Sequence, residues 1–558
     1  MILATRTASQ LKPRQLLWQI YRRLRRSTPV ALPAPDKITP NSDFKLLPPV
    51  PAAPSYESDG TFRFIGLAHR MNMSAIDWQC SELPKLWRYN LHYFDYLVAP
   101  NFRTDQAAAL ITDWINQNPI GTEIAWEPYP ASLRLVNWIK LYASPQRATL
   151  PLAQMERSLY VQGRWLAANL EYHIQANHLF KNLKAMAFVG CFFRGNEAAS
   201  WRARASRLLL DEIQEQFLPD GGHYERSPMY HAICTEDVLD LLNLILQNPG
   251  SELDTLSEPL HNTARRALDY LRDVTMPDGD IALLNDSAIG IAAKTEELTA
   301  YAEKIISYEP SHAADESRVI KLSDAGYYGY RYDNDMLLWD CGPIGPEYQP
   351  GHGHCDALSF ELSLKGRRVI VDSGVCDYED SPTRRYARST EGHNTIRIDG
   401  AEQSEIWHVF RVARPASVQQ LDMSVGQHSI SVSGVHHGYR RLAGKIDHKR
   451  RIHAFPVEGR IEVQDVLSGI GTHLIELFVH FHPDLYATAD YGRFLVRERN
   501  SSTPVAEIAF ANIDSGSAAK IGQGIYMPEF GKAIPNDVLV ISLRRALPAN
   551  LSWTIKRL

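Results

Sequence analysis

Three stretches of the sequence carry side chains suited to chemistry more than to packing. Gly351-His352-Gly-His354-Cys-Asp356 places two imidazoles two residues apart, and in a strand they share a face and converge. Asp372, in Val371-Asp-Ser-Gly374, and His393, in Gly392-His-Asn-Thr395, follow; histidines plus a carboxylate suit a divalent metal. A lone His-x-His is often structural, so the two later residues carry the weight of that reading. Asp220-Gly-Gly-His-Tyr-Glu-Arg-Ser-Pro-Met-Tyr-His231 opens with a glycine pair that permits a tight turn, then gathers Tyr224, Arg226, Tyr230 and His231. A tyrosine beside a cation or a histidine can act as general acid or base, although most tyrosines pack and hydrogen-bond. Asn177-His178-Leu-Phe-Lys-Asn182 lies in a helical stripe, with Asn177 and Lys181 on one face and His178 and Asn182 on the next; it reads as a site or as a solvated polar face.

Two more stretches mix aromatics with cations at expected helix starts: Trp87-Arg88-Tyr-Asn-Leu-His-Tyr93 and Trp126-Glu-Pro-Tyr129-Pro-Ala-Ser-Leu-Arg134. Such groups stack on sugar rings and clamp anions, and they also fill cores. Arg88, Arg134, Arg226 and Arg388 are candidates to pair with carboxylates or sulfates, with structural salt bridges as the other reading. The cysteines Cys80, Cys191, Cys234, Cys341, Cys355 and Cys376 form no CxxC pair and no even ladder, so a disulfide framework is not expected.

The elements that must position these residues change character along the chain. Between about 60 and 310 apolar residues recur with a period near 3.6, over 107–114, 131–141, 165–193, 202–217, 235–246 and 263–275. Short Gly/Pro turns separate them, which predicts antiparallel helical pairs. After about 320 the period becomes two, over 335–340, 357–364, 368–372, 394–398, 429–433, 449–454, 460–466 and 538–543. Helices followed by strands predict separate all-α and all-β domains, here residues 59–315 and 316–558. Residues 1–58 read as a basic helix and a proline-rich arm with Pro33, Pro35, Pro40, Pro48, Pro49, Pro51 and Pro54. The basic part holds Arg6, Lys12, Arg14, Arg22, Arg23, Arg25 and Arg26 and no acid, with Leu16, Leu17, Ile20, Tyr21 and Leu24 at helical spacing. It is either a solvated helix docked on the body or one that touches a membrane surface or a partner.

The 558 residues predict two or three domains, and 44% hydrophobic with 22% charged residues is ordinary for globular chains. A net charge of -5 argues against nucleic acid as the main partner. No apolar run is long enough for a transmembrane helix, and the start lacks the apolar stretch of a signal peptide. Cytoplasmic placement is the default expectation, with periplasmic or secreted placement open. There is no Walker loop, no GxGxxG after a strand, no HExxH and no GxSxG.

Taken together the motifs resemble the heparinase II/III-like polysaccharide lyases, a group that includes alginate lyases of related fold. The matching pieces are Leu86-Trp-Arg-Tyr-Asn-Leu-His-Tyr-Phe94, Trp126-Glu-Pro-Tyr-Pro130, Asn177-His-Leu-Phe180, Gly221-Gly-His-Tyr-Glu-Arg-Ser-Pro-Met-Tyr-His231, Asn285-Asp-Ser287, Gly351-His-Gly-His354, Val371-Asp-Ser-Gly374 and Arg388-Ser-Thr-Glu-Gly-His-Asn-Thr395. They stand in family order and are specific as a set. The resemblance implies a multidomain α+β fold, an N-terminal incomplete (α/α) toroid followed by antiparallel β-sandwich layers, with a cleft between them. It implies cleavage of a 4-linked uronic-acid polysaccharide, glycosaminoglycan or alginate, by β-elimination.

Removal of the C5 proton builds charge on the adjacent carboxylate, and preorganised donors there matter most. The resemblance places the neutralising amide at Asn177, with His178 and His352 as flanking donors or base and Tyr230 as proton donor to O4. Tyr230 in both roles suits syn elimination and a histidine base opposite it suits anti elimination; the residues leave this open. Arg88, Trp126, Tyr129, Arg134, Arg226 and Arg388 are the expected substrate contacts. The resemblance makes His354, Asp372 and His393 a structural metal set, zinc first and manganese second. Two rivals stand beside this reading. A glycoside hydrolase on a helical barrel needs two carboxylates, for which Glu225, Asp278 and Asp286 are available. A non-catalytic glycan-binding or exopolysaccharide-assembly protein would keep the fold without the reaction.

Overall fold

The structure, a computed structural model, describes residues 2–25, 38–100, 102–313, 316–490, 492–511 and 517–558. Arg26, Pro33 and Pro35 of the expected basic arm and the expected boundary at residue 315 lie outside the described residues. Two helices, α1 (Ile2–Gln10) and α2 (Pro13–Arg25), precede a small hairpin of Thr61–Phe64 and Leu67–Arg70. The helical region follows: α3 (Lys85–Tyr93), α4 (Thr104–Gln117), α5 (Pro128–Tyr142), α6 (Leu152–Ala168), α7 (Ala176–Phe192), α8 (Asn196–Gln216), α9 (Pro228–Gln247), α10 (Ser257–Asp273) and α11 (Thr295–Ile306). Neighbours pack as pairs, α5 on α7, α7 on α8, and α9 on α10 and α11. The arrangement is an incomplete (α/α) toroid.

At its centre is α7. It is apolar nearly all round, which is the pattern of a helix enclosed on every side. Its residues are all buried except His178 and Lys181. The continuous helix expected over 165–193 is instead two, because the chain turns between Ala168 and Ala176. Gln175 (φ 67°) and Ala176 (φ 52°) take left-handed backbone just ahead of Asn177. Asn177 therefore sits in the first turn of α7, not in a helix interior.

The strands form antiparallel sheets. A five-stranded sheet runs in chain order through Arg318–Leu322, Tyr327–Tyr332, Asp335–Asp340, Phe360–Leu364 and Arg367–Ile370. Both of its faces are covered, and the period of two divides its side chains between them. Ile320, Tyr327, Met336 and Leu338 complete the helical core. Tyr328, Tyr330, Leu337 and Trp339 join the β core with Val463, Leu477 and Trp553. Those last residues come from an eight-stranded sheet (Arg460–Ser468 beside Ala549–Arg557) and a four-stranded sheet (Thr472–His480 beside Lys532–Ala546). In Arg460–Ser468 burial alternates residue by residue, as expected for one inward face.

The two halves are strapped together at the N-terminus. From α1, Thr7 Oγ1 donates to Val412 O at 3.0 Å and Gln10 Nε2 to Ala413 O at 3.0 Å, and Arg6 pairs with Glu405 at 3.0 Å. From α2, the Trp18 ring packs 4.8 Å from Tyr172, and Lys12, in the turn just before α2, pairs with Glu215. The first contacts belong to the β region and the second to the toroid.

Candidate active site

A cavity of about 960 Å³ opens where the toroid meets the β region. Asn177 and His178 from α7, Tyr129 from α5, Tyr230 from α9, and His352 and Tyr378 from the β region line it. Residues more than 170 positions apart in sequence thus meet around one space.

Tyr230 owes its place to a helix start. Ser227 caps α9: its hydroxyl accepts from the Tyr230 backbone N–H at 3.2 Å, and Pro228 fills the first position, where a missing N–H costs nothing. The same hydroxyl donates to Asp286 O at 2.6 Å, which ties the helix start to the Asn285-Asp286-Ser287 loop. Arg226 (φ 56°) and Asn285 (φ 57°) both take left-handed backbone at this junction. Such conformations cost about 1–3 kcal/mol each in a non-glycine residue and persist where the surroundings enforce them. Here Asn285 Nδ2 donates to Arg226 O at 3.1 Å and Asn285 Oδ1 accepts from the His354 N–H at 3.1 Å.

Asp286 organises the histidines. Residues 351–359 form a loop, not the expected strand: the His354 N–H is tied to Asn285 and the Cys355 N–H to Arg388 O at 3.2 Å instead of to a ladder partner. The two imidazoles nevertheless converge, each on one Asp286 oxygen: His352 Nδ1 at 2.9 Å from Oδ2 and His354 Nε2 at 2.8 Å from Oδ1. Arg384 from α12 (Pro382–Arg388) holds both oxygens. Burial alone would raise the Asp286 carboxyl, but Arg384 and the two histidine bonds hold it well below the usual carboxylate range. An ionised Asp286 can only accept, so the contact calls for a proton on His352 Nδ1 and leaves Nε2 outside that bond.

The Tyr230 ring stacks on His352 with centroids 4.0 Å apart, and its hydroxyl lies 3.3 Å from the Tyr378 hydroxyl. Burial, then Tyr378, pushes the Tyr230 phenol well above its ordinary value, so it carries its proton at neutral pH. Asn177 Nδ2 donates to both Glu225 oxygens at 3.1 Å. His178 stacks on Tyr129 at 4.3 Å and bonds through Nδ1 to Glu171 at 3.3 Å. Deeper in the cavity wall, Lys181 and Lys184 pair with Asp237 at 2.7 and 2.8 Å, and Lys140 with Asp240 at 2.7 Å.

His354, Asp372 and His393 are buried together, with one ligand atom from each within 4.8 Å of the others. His393 Nδ1 bonds Asp372 at 2.7 Å. His354 Nδ1 and His393 Nε2 are buried ring nitrogens without a hydrogen-bond partner. Unpaired buried nitrogens are costly, and facing a carboxylate they fit a cation site. Burial lowers His354 to about 4, which keeps the ring neutral as a ligand must be.

The other expected contacts lie elsewhere. Arg134 is fully buried, bonds Gln162 at 2.8 Å and His92 O at 3.2 Å, and lies over Trp114. Arg88 caps the Gln79 carbonyl at 2.6 Å. Arg226 bonds Tyr224 O at 2.9 Å and Ala325 O at 3.0 Å, the latter pinning the toroid to the turn between the first two strands of the five-stranded sheet. Arg388 bonds Gly353 O at 2.9 Å and Val409 O at 2.8 Å, bracing the histidine loop. Trp126 donates to Asn118 O at 3.0 Å and packs on Trp114 and Trp165. None of these five lines the cavity, and only Tyr129 of the expected contacts does. All six cysteines are free and buried, and none lines the cavity. Tyr378, Arg384 and the orienting role of Asp286 escaped the sequence reading. Their one signal was proximity to Val371-Asp-Ser-Gly374 and Asn285-Asp-Ser287.

Fold and site together define a two-part α+β protein whose cavity is shared between a helical toroid and a β-sandwich. Residues 62–313 match the heparinase II/III N-terminus model and residues 314–554 the heparinase II/III-like C-terminal model, and the chain belongs to the heparinase II/III-like family. A heparin-sulfate lyase of Pedobacter heparinus is 25% identical over 325 residues, 52% of this chain and 47% of that one. The chain thus spans about half the length of that relative. FtsZ-localized protein C of Caulobacter vibrioides is 23% identical over 563 residues, 90% of each chain. The crystal structure of heparinase III superposes with a TM-score of 0.70 at 17% identity, covering 97% of this chain and 88% of that one. That likeness concerns the fold.

Proposed function

We propose that the protein is a polysaccharide lyase that cleaves 4-linked uronic-acid polymers by β-elimination, with glycosaminoglycans of the heparan type first and alginate second. The observation that carries this is the convergence of Tyr230, His352, Asn177 and His178 on one cavity. His352 Nε2, the ring nitrogen not bound to Asp286, takes the C5 proton. Tyr230, protonated, delivers a proton to the O4 leaving group from the ring that stacks on His352. Asn177 and His178 donate to the uronate carboxylate as charge builds on it. Glu225 holds the Asn177 amide, so a substrate carboxylate must displace it. The cavity cations Lys181, Arg22 and Arg23 offset that anionic group. His354, Asp372 and His393 would hold one divalent ion, zinc first and manganese second, which braces the β region beside the cavity.

Of the carboxylates weighed for a hydrolase, Asp278 pairs with Arg368 and Asp286 is buried under Arg384, and only Glu225 lines the cavity. A non-catalytic glycan-binding or assembly role is the second reading. It stays beside the first because the relative matched over 90% of both chains is called FtsZ-localized protein C, a name that states no lyase activity. Screening hyaluronan, chondroitin, heparan sulfate, alginate and pectate for the near-ultraviolet absorbance of a C4–C5 unsaturated uronate separates the readings. A rise on one polymer is expected. New reducing ends without absorbance would give the hydrolase, and neither signal the binder.

A further inference from the structure

We propose that α2 docks the protein on an anionic lipid surface. An amphipathic helix on a protein body normally turns its apolar stripe inward. Here the reverse holds. Gln15 is fully buried, accepting from the Lys12 N–H at 2.9 Å, Trp18 stacks on Tyr172, and Arg22 bonds His173 at 3.2 Å. Leu17, Ile20, Tyr21 and Leu24, at i, i+3, i+4 and i+7, form one stripe on the outward face. Leu17 is 67% exposed, Ile20 55% and Leu24 80%. Among the described residues no other helix exposes more than one large apolar side chain.

The charge around the stripe selects the partner. Arg14 and Arg23 are exposed and flank it, Arg14 also lying over Tyr172 at 4.5 Å. Arg25 and Arg26 follow in sequence, and residues 1–30 contain no acid in a chain of net charge -5. Apolar side chains bounded by arginines match the acyl boundary and the headgroups of an acidic bilayer. Because the same helix lines the cavity with Gln19, Arg22 and Arg23, docking would hold the cavity mouth beside the lipid surface.

The test is vesicle pelleting of the full chain with phosphatidylglycerol/phosphatidylcholine and with phosphatidylcholine alone. The comparison protein is Leu17→Asp/Ile20→Asp/Leu24→Asp, its fold checked by an unchanged melting temperature. Wild type is expected to bind acidic vesicles at least tenfold tighter than neutral ones, less so at high salt, and the triple variant to lose at least tenfold. Wild type left in the supernatant, or equal pelleting of the variant, would overturn the proposal. So would a stripe-dependent dimer by light scattering without vesicle binding, since a second copy would then be the occupant.

Discussion

At the scale of single residues, the proposed reaction rests on Tyr230 as proton donor and on Asp286, which orients the histidines. Tyr230→Phe removes one hydroxyl and leaves the ring stacked on His352, so turnover should fall by roughly 10²–10⁴ with an unchanged melting temperature. Steady-state kinetics beside a thermal melt checks this, and wild-type turnover would exclude Tyr230 as proton donor. Asp286→Asn is different in kind. It leaves Arg384 buried without its counter-charge, which should cost about 3–5 kcal/mol in denaturant unfolding, and it leaves one acceptor oxygen where the two imidazoles had two. Asn177, His178, Tyr230 and His352, which meet at the cavity, stood out in the sequence because amides, imidazoles and phenols are poor choices for a helical stripe or a tight turn. The arginines misled for a physical reason. A guanidinium is equally at home on a carboxylate or on backbone carbonyls, and the sequence does not say which; Arg134, Arg226 and Arg388 found carbonyls. Tyr378 and Arg384 carry no spacing signal, since their partners lie 148 and 98 residues away.

At the scale of elements, the site depends on helix starts. Ser227→Ala removes the α9 cap and a buried bond to Asp286 O, which should cost about 1–3 kcal/mol and lower turnover less than Tyr230→Phe does. Full stability would mean that the cap does not position Tyr230. His231, one turn along, fixes a pH dependence. Its Nδ1 accepts from the His223 N–H at 3.1 Å and its Nε2 bonds Ala267 O at 2.8 Å, so the neutral ring is satisfied at both ends. Burial lowers it to about 4 against an ordinary 6.5. The unfolded chain binds the proton first on acidification, so this stability is complete above about 6.5 and is lost as pH falls toward 4. The full shift corresponds to roughly 3 kcal/mol. Melting temperature against pH should fall across that window, less steeply in His231→Gln; parallel curves would contradict the assignment. Periodicity revealed most of these elements. It missed the break before Ala176, where apolar spacing continues through a turn set by left-handed Gln175 and Ala176, and the histidine loop, where i, i+2 spacing imitated a strand.

At the scale of the whole molecule, toroid and β region are one unit, because the five-stranded sheet serves both cores and the α1–α2 strap joins them. The buried histidine and aspartate set belongs to this scale. Metal analysis should find about one divalent ion per chain in wild type and little in His393→Ala, and equal metal in both would remove that role. The order of helices then strands was readable from period alone, but the cavity they share was not, since it needs tertiary contacts between distant segments. The central claim is that this cavity eliminates rather than hydrolyses or merely binds. Mass spectrometry of a uronate oligosaccharide panel after exposure to the enzyme tests it most directly. Fragment masses should sum to that of the intact substrate, with one fragment lighter by a water than its hydrolytic counterpart. Fragments that sum to substrate plus water, or a panel left whole, would contradict the account.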